Sequence, residues 1–116
     1  MEIKLDLEKL RPDKETGRCK VHHVIGAIRY PETPDDASAG KILYIKSSLT
    51  GRIERKDLPP LPSEPLDILN YRFEHSTFPH DTTANQWFTE SQFESYRRLG
   101  QHMVAEAELS GDWKEF

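Results

Sequence analysis

Two apolar segments separated by a short connection constrain the fold of this chain more than any other feature. Residues 21–30 and 41–46 are rich in β-branched and aromatic residues, and the ten residues between them include Pro31, Pro34 and Gly40. Parallel strands need a crossover of a dozen or more residues. We therefore expect an antiparallel hairpin. Because the second strand is apolar on both faces, we also expect both faces to be covered.

The N-terminal residues are consistent with a third strand. Residues 2–8 alternate between apolar and charged side chains, which is the period of a half-buried strand. Leu7 and Leu10 lie three residues apart, so a short helix through Leu10 is the alternative. Gly26, in the middle of the first hairpin strand, predicts a bulge or the close approach of another backbone.

A connector and a first helix are predicted after the hairpin. Residues 52–65 are charged and then proline-rich, which favours an extended tether. A helix at about 64–75 follows, with Ser63 as its expected N-cap and Pro65 in its first turn, where proline is tolerated. The apolar stripe of this helix consists of Leu66, Leu69 and Phe73.

A second helix at about 89–109 has the clearest start signal in the chain. Thr89 and Gln92 have the spacing of a capping box, and Phe88 and Phe93 have that of a hydrophobic staple. The expected apolar stripe consists of Phe93, Tyr96, Leu99 and Met103.

The end of the second helix is ambiguous in the sequence. Gly100 interrupts the stripe at a cost of about 1 kcal/mol relative to alanine, so the helix ends there or continues to about Leu109. Glu106 and Glu108 lie near the later end, where negative charge opposes the helix dipole. We therefore expect that end to fray.

Length and composition limit the classes of function. The chain has 116 residues, which is one domain or subdomain at most, and a net charge of -4 gives no basis for binding nucleic acid or an anionic membrane. The hydrophobic share is 35%, so the core is thin and suits a unit that leans on another part of a protein. Cys19 is the single cysteine, and the charged N-terminus does not resemble a signal peptide. These features favour a cytoplasmic location.

Catalytic motifs are not apparent. The sequence contains neither a GxSxG elbow nor a glycine-rich phosphate-binding turn. Ser47 and Ser48 follow a predicted strand, but no glycine precedes them and no helix begins after them. A polar turn is the favoured interpretation, and we expect no catalytic residue.

The histidine spacing gives no metal-binding motif. His22 and His23 alternate on a strand and so face opposite sides, while Cys19 with His22 resembles half of a zinc site without a second half. His75 and His80 lie five residues apart across a proline loop. We therefore expect neither a metal ion nor another cofactor.

The densest aromatic group is the best candidate for an interaction surface. Such a group could stack on bases or contact a membrane, but the net acidity and the lack of clustered Lys and Arg argue against both. A core or a protein interface is favoured. The group consists of Trp87, Phe88, Phe93 and Tyr96.

Two long blocks resemble a known family. The first is Gly40-Lys-Ile-Leu-Tyr-Ile-Lys-Ser-Ser-Leu-Thr-Gly51, and the second is Phe78-Pro-His-Asp-Thr-Thr-Ala-Asn-Gln-Trp-Phe-Thr-Glu-Ser-Gln-Phe-Glu-Ser-Tyr-Arg-Arg-Leu-Gly100. Together with residues 25–30 and 67–71, they resemble the C-terminal region of bacterial patatin-like phospholipase-related proteins. The resemblance covers roughly residues 20–102.

The resemblance implies a lipid-hydrolase context for the chain. Patatin-like enzymes use a serine in a GxSxG elbow and an aspartate in an Asp-Gly turn, both upstream of the blocks seen here, and neither motif occurs in this sequence. We therefore expect a non-catalytic C-terminal segment that braces a hydrolase, or alternatively a free-standing interaction module. The expected partner is the upstream catalytic region or a second copy, with membrane contact only through a parent protein. The predicted fold class is α+β, with the antiparallel sheet packed with two helices.

Overall fold

A computed structural model of the chain describes residues 1–32, 34, 39–51, 64–111 and 114. The described residues form an antiparallel sheet of three strands in the order β1-β2-β3, followed by two helices, and so confirm the predicted α+β class. The elements are β1 (Glu2–Lys4), a 3₁₀ turn (Leu7–Leu10), β2 (His23–Arg29), β3 (Gly40–Ile45), α1 (Leu66–Glu74) and α2 (Glu90–Leu109).

The predicted hairpin is formed by β2 and β3, and its pairing extends past both strands. The amide of Lys46 donates to the carbonyl of His22 at 2.9 Å, and the amide of Cys19 donates to the carbonyl of Leu49 at 2.8 Å. The segment after β3 is therefore held against the segment before β2. This extension carries His22 to the place where the helices pack.

The N-terminal segment combines the two alternatives, since a short strand precedes a 3₁₀ turn. The predicted close approach at Gly26 is confirmed, because a Cβ there would lie 2.3 Å from the carbonyl oxygen of Lys4 and 2.4 Å from Cδ2 of Leu5. Any side chain at position 26 would collide with backbone. The glycine is thus what allows the N-terminal segment to lie across β2.

The main core lies beyond the end of β3 rather than under the whole sheet. Leu49 carries the contact between the sheet region and the helices, with Ile45 packed beside it. The expectation that β3 is covered on both faces is wrong: Tyr44 is 42% exposed, because the helices pack on the residues that follow the strand. The core side chains are Leu49, Ile68, Phe78, Leu99 and Met103.

Helix α1 buries a different face from the predicted one. Ile68 is fully buried, whereas Leu66 and Phe73 are 71% and 91% exposed. Ile68 and Tyr71 have the same helical spacing as the predicted stripe, so periodicity alone could not distinguish the two faces. Contact with Phe78 decides between them, because Tyr71 packs edge-on against that ring at 5.1 Å. The predicted cap, Ser63, and most of the connector lie outside the described residues.

Of the two predicted ends of helix α2, Gly100 and about Leu109, the structure has the later one. Thr89 caps it by accepting a hydrogen bond from the amide of Gln92 at 3.1 Å. The Gln92 side chain donates to Asp81 Oδ2 in the preceding loop at 3.3 Å instead of turning back to the cap, so only the Thr89 half of the predicted capping box forms. Gly100 does not end the helix, and a Cβ at this position would meet no atom of the described residues within 4 Å. The C-terminal turn is helical through Leu109.

The length and composition of the two helices decide whether either could cross a membrane. Across the portion of the chain that the structure describes, neither helix has the length and apolar composition required to cross a bilayer.

Candidate functional site

A group of ionisable side chains is buried where the end of the sheet meets α2. We call it the polar cluster. Its members come from three parts of the chain: the residue before β2, a residue near the end of the connector, and the last turns of α2. His22, Glu64 and Glu106 are only 1%, 2% and 6% exposed. The polar cluster consists of His22, Glu64, His102 and Glu106.

The local structure of each segment brings these side chains together. His22 is fixed by the backbone pairing with Lys46 described above. His102 and Glu106 are four residues apart on α2, so they lie one above the other on a single face. That face is the inner one, since it also carries Leu99 and Met103. The inner face of α2 therefore changes from apolar to polar along its length.

The ring nitrogens and carboxylate oxygens of the polar cluster lie close together, but not all of them make hydrogen bonds. Nε2 of His22 lies 3.2 Å from Oε2 of Glu106 and 3.7 Å from Oε1 of Glu64. Nε2 of His102 lies 3.6 Å from Oε1 of Glu106. Within the described part of the chain, both histidine Nε2 atoms are buried and have no hydrogen-bond partner. Buried polar atoms normally have one, so these two need an explanation.

Hydrogen bonds on the other side of the ring define the tautomer of His22. Its Nδ1 lies 3.1 Å from the hydroxyl oxygen of Ser48, and that hydroxyl is placed to donate to the carbonyl of Lys46 at 3.0 Å. A hydroxyl has one proton to donate, so Ser48 accepts from His22 and the Nδ1 atom carries the hydrogen. In the neutral ring, Nε2 then carries the lone pair.

Glu64 is anchored independently of the histidines. One carboxylate oxygen accepts from the backbone amide and, at 3.0 Å, from the hydroxyl of Thr50. Both carboxylate oxygens lie 3.1 Å from the amide of Gly51. Burial alone would raise the pKa of Glu64, but these hydrogen bonds outweigh it and the pKa is lowered. Glu64 is therefore a fixed negative charge at the edge of the polar cluster.

The histidines are held in their neutral form. Burial lowers the pKa of His22 to about 4, although the nearby charge of Glu64 acts in the opposite direction. Burial also lowers the pKa of His102, and Arg98 adds to this effect. At neutral pH the cluster therefore combines two neutral imidazoles with the charged carboxylate of Glu64.

Ser48 and His22 superficially resemble a nucleophile and its base. Ser48 is completely buried, however, and its proton is directed to the carbonyl of Lys46, so neither a substrate nor the histidine can engage it as acyl transfer requires. The sequence interpretation of Ser48 as part of a polar turn after a strand did not include its burial. The hydroxyl is an internal structural group that orients His22.

The predicted interaction surface is divided by the structure. Trp87, Phe88 and Phe93 are 90%, 55% and 65% exposed, and we refer to these three as the aromatic surface. Tyr96 instead packs edge-on against Phe78 at 4.9 Å. Its hydroxyl donates to Asp81 Oδ2 at 2.8 Å, and burial raises its pKa to about 12.

Sequence reasoning missed the polar cluster because its parts are distant in the chain. His102 and Glu106 do carry a readable signal, a histidine and a glutamate four residues apart on a predicted helix. Their partners, His22 and Glu64, lie beyond any local motif. Cys19, which with His22 resembles half of a zinc site in the sequence, is not part of the polar cluster: its thiol donates to the carbonyl of Leu10 at 3.1 Å, and burial raises its pKa.

Comparison of the chain with protein-family models, with curated proteins and with solved structures gave no match in any of the three. The resemblance to patatin-like proteins therefore stays a prediction from the quoted residues.

Proposed function

We propose that this chain is a non-catalytic docking segment that braces the catalytic region of a patatin-like acyl hydrolase through the aromatic surface. The observation that carries the proposal is the exposure of Trp87 at 90%, with Phe88 and Phe93 exposed beside it in sequence. Buried aromatic side chains each cover about 150–250 Å². Covering three of them would supply on the order of 10 kcal/mol before the costs of association.

The choice of partner rests on the resemblance to patatin-like proteins. The first quoted block of that resemblance contains β3, and the second contains the aromatic surface. The patatin-like elbow and aspartate turn are absent from this sequence, so the chain's contribution would be structural. The thin core is consistent with that role, because such a unit gains stability from the surface it covers. A cytoplasmic location is part of the proposal, consistent with a single cysteine held as a buried free thiol.

The experiment is co-expression of the chain with a patatin-like catalytic region that carries the GxSxG elbow. We expect the two to elute as one complex in size-exclusion chromatography with light scattering. A Trp87→Ser/Phe93→Ser double variant should lose the complex, whereas Phe73→Ser, which removes an equally exposed ring from α1, should retain it. Separate elution of the unmodified chain, or equal binding by the double variant, would contradict the proposal.

The non-catalytic part has its own test. The chain alone is incubated with a short-chain nitrophenyl ester and with a phospholipid. We expect hydrolysis no faster than that of a heat-inactivated sample. A clear excess over that control would show that the chain is itself an enzyme.

A second candidate function uses the same surface without a hydrolase. The exposure of Trp87 does not depend on the family resemblance, and it also suits a free-standing interaction module that docks on a partner protein or on its own copy. A dimer, or binding of a hydrophobic dye that the double variant abolishes, would favour this candidate if the hydrolase complex does not form. A dye-silent monomer would argue against both.

A further inference from the structure

We propose that His22, His102 and Glu106 bind a divalent first-row transition metal ion, Zn²⁺, which joins the end of the sheet to α2. One ligand atom from each of the three residues lies within 4.8 Å of the others. The proposal concerns a site inside the chain and does not depend on what the aromatic surface contacts. It gives the polar cluster a ligand, whereas the proposed docking function gives the cluster no role.

The spacing of the atoms fits a metal ion better than hydrogen bonds. Zn²⁺ binds imidazole nitrogen and carboxylate oxygen at about 2.0–2.2 Å in a tetrahedral arrangement, which places neighbouring ligand atoms roughly 3.4 Å apart. Oε2 of Glu106 lies 3.2 Å from Nε2 of His22, and Oε1 of the same carboxylate lies 3.6 Å from Nε2 of His102. N–H···O hydrogen bonds span about 2.7–3.2 Å, yet neither Nε2 atom makes one among the described residues.

The orientation of His22 is that of a metal ligand. Its Nδ1–H donates to Ser48, which is itself fixed by the carbonyl of Lys46, so Nε2 carries the lone pair that a metal ion would coordinate. Metal-binding histidines typically donate their other ring N–H in this way, which fixes the tautomer and the ring plane. The same account explains the unpartnered Nε2 of His102.

The donor set selects the kind of metal. Two imidazole nitrogens disfavour Mg²⁺ and Ca²⁺, which prefer oxygen ligands, and suit Zn²⁺ and its first-row neighbours. Two histidines and one carboxylate also occur in Fe²⁺ oxygenases, but those sites keep open positions for substrate. Here His22 and Glu106 are 1% and 6% exposed. Glu64 is a nearby negative charge rather than a further ligand, because its Oε1, 3.7 Å from Nε2 of His22, already accepts hydrogen bonds from Thr50 and Gly51.

The test is titration of the full chain with ZnCl₂ by isothermal calorimetry, after metal removal with a chelator and dialysis. We expect binding of one equivalent. His102→Gln and Glu106→Gln should weaken it by at least about 100-fold, more than the 10–100-fold typical of groups that only support a ligand. His80→Gln, the same substitution at an exposed histidine, should bind like the unmodified chain. Far-UV circular dichroism establishes that each variant is folded.

A second measurement uses the unmodified chain and so does not depend on variant folding. In long-range ¹H–¹⁵N spectra, Zn²⁺ should move the Nε2 resonances of His22 and His102 and leave those of His75 and His80 in place. A hundredfold excess of Zn²⁺ over the dissociation constant should raise Tm by on the order of 10 °C. No binding, which would leave buried water as the partner of the two nitrogens, overturns the proposal. Binding that the variants do not weaken, or that moves only His75 and His80, overturns it as well.

Discussion

The aromatic surface lies near the N-terminal end of α2 and consists of exposed apolar rings. The polar cluster lies near the C-terminal end of the same helix and consists of buried ionisable side chains. Near the N-terminus of the helix, Phe93 is 65% exposed, while three turns later Glu106 is 6% exposed. Burial stabilises the first kind of group and penalises the second unless it is paired. The difference teaches that burial alone does not tell which groups have a function: the two proposals above assign a protein contact to the exposed rings and a cation to the buried polar groups.

The middle of the same helix provides the reference for this comparison. Leu99 is fully buried and Met103 nearly so, and both belong to the main core. The three environments follow one another within a single helix of 20 residues. Substitutions along α2 therefore test each environment against the other two.

The largest expected effect is at the core. Leu99→Ala should lower the free energy of unfolding by about 3–5 kcal/mol, because it removes a fully buried side chain and leaves a cavity. Phe93→Ala, a larger truncation on the same helix, should change it by less than about 0.5 kcal/mol in the isolated chain. Urea denaturation followed by circular dichroism measures both. Equal losses would mean that Phe93 is buried in solution, and the contrast between surface and core would fail.

The next effect concerns the buried carboxylate of the polar cluster. Glu64→Ala should cost about 3 kcal/mol, since it leaves the amides of Thr50 and Gly51 buried without their acceptor. Glu94→Ala, which removes an exposed carboxylate paired with Arg97, should have little effect. The same urea experiment compares them. A small loss at Glu64 would show that water reaches this part of the interior.

A smaller effect is expected at the start of α2. Thr89→Ala should cost about 1 kcal/mol, because it removes the acceptor of the Gln92 amide. Ser91→Ala, within the first turn, is the matched control and should be nearly neutral. Thermal unfolding detects the difference as a lowered Tm. No change on Thr89→Ala would indicate that the cap is satisfied by solvent and that the aromatic surface is not anchored through it.

The smallest effect is a dependence of stability on pH in the loop that supports the aromatic surface. Hydrogen bonds from Thr77, Tyr96 and Gln92 lower the pKa of Asp81. Because the folded pKa lies below the unfolded value of about 3.9, the stabilisation is present above that value and is lost as pH falls through the folded pKa. Urea midpoints between pH 6 and pH 2 should therefore fall less in Asp81→Asn than in the parent chain.

Elements with a local signal could be predicted from the sequence. The hairpin followed from the short connection between its strands, and the start of α2 followed from the spacing of Thr89 and Gln92. Gly26 was correctly associated with a close backbone approach. In each case the determining interaction lies within a few residues, or the residue type itself limits the conformation.

Features that depend on packing could not be predicted. Two faces of α1 have equivalent periodicity, and only contact with Phe78 favours the face of Ile68 over that of Phe73. Glu106 was expected at a fraying end because the helix dipole acts locally. Its burial depends on His22, which no local pattern connects to it. The polar cluster is therefore a property of the tertiary structure alone.

The hydrogen bonds from Thr50 and Gly51 to Glu64 have a consequence for how the chain can vary. They hold Thr50 and Gly51 directly against Glu64, which lies 14 and 13 residues further along the sequence. The free-energy cost of closing a chain segment rises by only about 0.6 kcal/mol for each doubling of its length. Changing the number of residues between positions 51 and 64 should therefore cost little stability, provided that Thr50, Gly51 and Glu64 are kept. The length of this part of the sequence is then a variable that evolution, or an engineer, can change.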